Sequence, residues 1–158
     1  MFIKLLCVAM AVALMAGNVY AADMKLMEMR DRVYDESTQM KPLLANSQDV
    51  VLLGSMWDAC LMAMMQLDAY FYMVGIFNEV NEEAAKAQTI DYLIKWLTQM
   101  KAANDVNIGN LSTVGMPVQA KTQVHIDRLK NLFFDINKVL DVEIRDLNFL
   151  KSRVPKKK

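Results

Sequence analysis

A single histidine, His125, and two cysteines, Cys7 and Cys60, are the chain's whole supply of imidazole and thiol groups. No His/Cys/Asp cluster, HExxH, Glu-x-x-His di-iron pair, CxxC or CxxCH haem attachment is therefore available. A glycine-rich phosphate loop is also missing. Only three prolines and five glycines occur among 158 residues. Pro42 separates two helical patterns, Gly109, Gly115 and Pro117 share one segment, and Pro155 lies near the end. The long stretches between them are rich in Ala, Leu, Met, Lys, Glu and Gln, which favours helix over strand. An excess of one charge is missing as well: 18 basic residues face 18 acidic ones. A neutral chain has no general electrostatic reason to bind nucleic acid.

The first 21 residues carry the pattern of a secretory signal. Lys4 gives a positive start, Leu5 to Gly17 (LLCVAMAVALMAG) is uncharged, and Val19 and Ala21 occupy the −3 and −1 positions. Cleavage is expected after Ala21, because a cut after Ala22 would put the Tyr20 ring at −3. The apolar run is too short for a membrane span of about 20 residues. Cys7 lies inside that run with no small residues before it, which excludes a lipoprotein signal. Cleavage leaves 137 of the 158 residues, enough for one domain with a core. It removes Cys7, Lys4 and three of the 14 methionines. With Cys60 alone, an intramolecular disulfide is impossible, so packing must hold the domain together.

Four helices are expected in residues 22–152, followed by a basic tail at 153–158. The first runs from Asp23 to about Lys41, where Pro42 marks a boundary. The second, from about Ser47 to Asn78, is capped by Asn46 or Ser47. Its only charges between Val50 and Phe77 are Asp58 and Asp68. A helix apolar nearly all round belongs in a core or a membrane. The two carboxylates, each costing about 2.5–3.5 kcal/mol in a bilayer centre, favour a central core helix. Any part that three neighbours leave uncovered would be an apolar surface for a partner. The second helix either breaks near Asn78–Asn81, the favoured reading, or continues into the third, which ends near Ala103 with Ile90, Leu93, Leu97 and Met100 on its stripe. Asn104 to Pro117 has turn chemistry and reads as a long loop. The fourth helix, Val118 to Ser152, carries a near-heptad seam through Leu129, Leu132/Phe133, Ile136, Leu140 and Leu147. The expected fold is all-α, an antiparallel four-helix bundle preceded by a cleavable signal peptide.

Chemistry is thinly supplied. His125, near the start of the fourth helix, reads as a surface or capping residue. Its sharper role is a haem ligand with Met40, since an up-down bundle sets the start of helix four beside the end of helix one. The known soluble b-haem bundle places its ligands at the opposite end, so that likeness is generic. Met24-x-x-Met27-x-Met29 and Met62-x-Met64-Met65 supply thioethers of the kind that bind Cu(I), but methionine also fills irregular cores and adaptable surfaces. Cys60 shares a stripe with Met56 and Met64 and reads as a buried thiol. Enzymatic candidates would be Asp58, Asp68 and His125, with nothing to bring them together. Lys156 to Lys158 give at most weak contact with a membrane surface, about 1 kcal/mol each.

These features lead to an exported, periplasmic or secreted, non-catalytic bundle that associates with a protein partner or with itself through apolar helix faces. The alternative is a periplasmic small-ligand or metal/haem carrier using the bundle interior. Protein recovered from outside the cytoplasm is expected to begin at Ala22 on N-terminal sequencing. Recovery of the chain with Met1 retained would contradict cleavage.

Overall fold

The computed structural model describes residues 24–45, 47–80, 83–114 and 118–153. The signal segment, the lysine tail, Asp23, Asn46 and Asn81 lie outside them. The described residues are helical apart from short connections, with no strand among them. Helix α1 covers residues 24–40 and runs into a 3-10 turn at Lys41–Ala45. Helices α2 (Val50–Glu79), α3 (Glu83–Ser112) and α4 (Ala120–Arg153) follow.

Side chains from all four helices meet in one core. Leu26, Val33 and Met40 of α1, Leu53, Cys60 and Leu67 of α2, Ile90, Leu93 and Leu97 of α3, and Leu129, Phe133 and Leu140 of α4 belong to it. The spacing of three and four residues within each helix puts these positions on one face. Among α2, α3 and α4 the packing is densest between α3 and α4. Their polar contacts give the direction: Lys101 pairs with Asp141, Asn104 with Asn137, and Lys151 with Asp91. Rising numbers on one helix meet falling numbers on the other, so the two run antiparallel. Arg32–Asp135 and Arg128–Gln39 give the same sense for α1 against α4.

The starts of α2 and α4 are tied together. Asp49 stands at the N-cap position of α2 but makes no side-chain cap bond. Its carboxylate instead accepts the Gln119 backbone N–H at 2.9 Å, and the Ser47 hydroxyl donates to Gln119 Oε1 at 3.2 Å. Ser47 also accepts the Asp49 backbone N–H at 3.0 Å, so the expected capping residue acts just ahead of the helix. The α2–α3 break falls where expected: α2 ends at Glu79 and Val80 is extended.

Two expectations need correction. The segment Asn104 to Pro117 is not a long loop, because α3 continues through it to Ser112. Asn104 is buried and donates to Asn137 Oδ1 at 3.0 Å, while Asn137 donates to Asp105 Oδ1 at 2.7 Å. These cross-helix bonds take up the polar groups that would otherwise favour a local turn. Half-buried Ile108 and buried Leu111 also prolong the apolar stripe. The second correction concerns α2. It is not a central core helix, because only one face of it is buried.

Candidate functional site

Helix α2 buries Leu53, Met56, Cys60, Ala63, Met64, Leu67 and Tyr70. At 100° per residue these lie on one side of the helix. The opposite side carries Val51, Met62, Met65, Tyr72 and Ile76, all exposed. Val51 retains 82% of its accessible surface, Tyr72 72% and Met65 66%, so they are uncovered rather than rim residues of the core. Isolated exposed apolar side chains are ordinary, whereas a contiguous stripe of them marks a contact surface. By length and composition α2 is the one described helix long and apolar enough to cross a membrane, with a mean hydropathy of 1.6 over its best window. A third of that window is buried in the bundle.

The carboxylates of Asp58 and Asp68 in α2 have different surroundings. Asp68 is held from α1, with Arg30 Nε at 3.1 Å from Oδ1 and an Arg30 terminal nitrogen at 3.4 Å from Oδ2. The Asp68 carboxylate pushes the Arg30 pKa up. Asp58 lies exposed in the middle of the outer side. Tyr70-Phe71-Tyr72 spans the helix as its spacing requires: Tyr70 is buried, Phe71 half-buried and Tyr72 exposed.

His125 departs from the surface role expected of it. It is buried, and its Nδ1 stands 2.5 Å from Glu36 Oε1 of α1, with both side chains about nine-tenths covered. A short hydrogen bond joins the two groups, and the pair spans the α1–α4 contact. Because α4 begins at Ala120, His125 occupies the second turn and joins the stripe of Ile126, Leu129 and Leu132. The legible signal was the position of His125 four residues before Leu129. Met40 is fully buried, one turn beyond Glu36, yet the hydrogen bond of His125 goes to Glu36. Beside this pair lies a groove of about 480 Å³ lined by Arg32, Asp35, Glu36, Gln39, Arg128 and Asn131.

Other buried polar groups were not singled out by the sequence. The Tyr70 hydroxyl donates to Glu143 Oε1 at 2.6 Å. Trp96 Nε1 donates to the Gln66 carbonyl at 3.0 Å, joining α3 to α2. The methionine groups divide: Met24 and Met27 are exposed and Met29 buried, while Met62 and Met65 are exposed and Met64 buried. Neither trio converges within its helix. No group of three or more His, Cys, Asp or Glu side chains suited to a metal occurs among the described residues. Asp58, Asp68 and His125 occupy three separate environments, namely the outer face, the Arg30 contact and the core. Comparison with protein-family models, curated proteins and solved structures finds no match.

The buried groups are open to two tests. Glu36→Ala or His125→Ala alone leaves an uncompensated polar partner in the core and is expected to cost about 3–5 kcal/mol. The double change Glu36→Met with His125→Leu removes both polar groups together and is expected to cost much less in urea unfolding. Additive losses would show that the contact carries no coupling. Burial pushes the Cys60 thiol up to about 12, with the Glu36 charge adding to the effect. The thiolate is the reactive form, so Cys60 should resist alkylation at pH 8 until the chain is unfolded. Between about pH 9 and 12 the unfolded thiol ionises while the folded one stays neutral, so this group lowers stability as pH rises. Rapid stoichiometric labelling of the native protein would contradict its burial.

Proposed function

We propose that the protein is an exported, non-catalytic helical bundle that works by association, with a protein partner or with itself, through the outer apolar face of α2. The observation that carries this reading is the exposed row of Val51, Met62, Met65, Tyr72 and Ile76, interrupted by Asp58. Leaving such a row in water sacrifices about 25 cal/mol for each Å² that a partner would cover. The secretory pattern of residues 1–21 supports action in the periplasm or outside the cell. The separation of Asp58, Asp68 and His125 supports a non-catalytic role.

Methionine and tyrosine suit such a surface. Thioether side chains adapt to the shape of a partner, and tyrosine combines a large apolar ring with a hydroxyl that bonds at the rim. A charge set into the middle of the row would have to be buried on association. Met65→Glu is therefore expected to cost at least about 2 kcal/mol of binding, roughly thirty-fold in Kd. The circular dichroism spectrum should be unchanged, because Met65 is exposed and stands outside the core. Light scattering after size exclusion, run with the natural envelope or culture fluid and with purified protein, measures the association. A chain that is strictly monomeric and forms no complex in either sample would refute the reading.

A further inference from the structure

The exposed face of α2 is complementary to itself. Its residues are arranged symmetrically about a point between Ala63 and Met64: Val51 mirrors Ile76, Gly54 mirrors Met73, Ser55 mirrors Tyr72, Asp58 mirrors Ala69, and Met62 mirrors Met65. A two-fold axis at that height, midway between two helices and perpendicular to the plane containing both, sets an antiparallel copy against this face. Residues near the centre line face their mirrors, with Asp58 over Ala69 and Val51 over Ile76, while those to either side meet the residue on the same side of the copy, Tyr72 over Gly54 and Met73 over Ser55. We propose that this face pairs with the same face of a second copy, forming an isologous dimer of antiparallel α2 helices. This rests on the association reading above and names its partner.

Three further observations favour a second copy as the occupant. The first is charge. Asp58 faces an alanine rather than another carboxylate, and the two Asp58 residues stand 11 positions apart along the axis, about 16 Å at 1.5 Å per residue. Their repulsion at that spacing lies beyond the roughly 8–10 Å screening length of physiological salt. Asp68, at the edge of the face, is already matched by Arg30.

The second is area. Met27 and Tyr34 of α1 are exposed and share a face with Arg30. The Arg30–Asp68 contact sets that face beside Met65 and Tyr72. Together with the α2 row they expose on the order of 800 Å², which is what each partner buries in a standard-size interface. The largest apolar patch of an ordinary monomer is about 300–600 Å².

The third is Gly54. A Cβ placed on it, as on Gly75 and Gly109, meets nothing within 4 Å, so no packing within the protomer calls for glycine there, although glycine is unfavourable inside a helix. Of the three, Gly54 lies on the proposed contact, where its missing side chain admits Tyr72 of the copy.

Cysteine cross-linking of the full mature chain in a Cys60→Ala background tests the arrangement. Asp58→Cys and Ala69→Cys are made separately, oxidised alone, and oxidised after mixing. The mixture is expected to give a disulfide-linked 58–69 dimer, and each variant alone to stay unlinked, because identical positions lie about 16 Å apart axially. Gly54→Ala is expected to raise the thermal midpoint of the dilute protomer while weakening the dimer about tenfold, a split that loss of folding would not produce. Self-linking of each variant alone would overturn the antiparallel register. A monomer by light scattering that binds another protein, or vesicles of neutral phosphatidylcholine, through a Met65→Glu-sensitive contact would overturn the dimer and leave the association surface standing. A monomer that binds nothing would overturn both.

Discussion

A helix in a four-helix bundle has two neighbours and one diagonal partner, and these cover one face of it. Helix α2 carries apolar side chains on both faces. The bundle accordingly buries Leu53, Met56, Cys60, Leu67 and Tyr70 and leaves Val51, Met62, Met65, Tyr72 and Ile76 in water. That mismatch between composition and coverage follows from geometry, and no repacking of three neighbours removes it. The other helices do not share the problem to the same degree. Helix α4, for example, sets its buried seam against an outer side bearing Lys121, Asp127, Arg128, Lys138 and Asp141.

The core is held in register by polar contacts as much as by apolar volume. Glu36–His125 joins α1 to α4, Tyr70–Glu143 joins α2 to α4, Trp96 joins α3 to the Gln66 carbonyl of α2, and Asn104–Asn137 joins α3 to α4. Apolar stripes of similar spacing slide past one another at little cost, whereas a displaced buried hydrogen bond leaves a desolvated group unpaired, at about 1–3 kcal/mol each. With a single buried cysteine among the described residues, no disulfide performs this task. The contacts between helices distant in sequence therefore fix which helices are neighbours and how they are aligned.

Periodicity made the helices and most of the core legible in the sequence. The α4 seam at Leu129, Phe133, Ile136 and Leu140 could be read directly, because it depends on local pattern, whereas the sequence favoured the α2–α3 break without excluding a continuous helix. The continuation of α3 through Asn104, Asp105 and Gly109 could not. Its stability there depends on Asn137, 33 positions away from Asn104, which absorbs the hydrogen bonds that suggested a turn. His125 was misplaced for a related reason: its partner Glu36 lies 89 positions away. The excess hydrophobicity of α2 was plain, and so was its consequence if coverage failed. Which side would remain open was fixed only by the neighbours.

The central claim is that the open side of α2 is a contact surface between copies. The methyl groups of Met62 and Met65 report on it directly. In a mature chain labelled with 13C at the methionine methyls, a soluble paramagnetic agent broadens the resonances that solvent reaches. The account predicts that Met62 and Met65 are protected at high protein concentration and become accessible on dilution, while exposed Met24 is broadened throughout. Equal broadening of Met24, Met62 and Met65 at every concentration would contradict it.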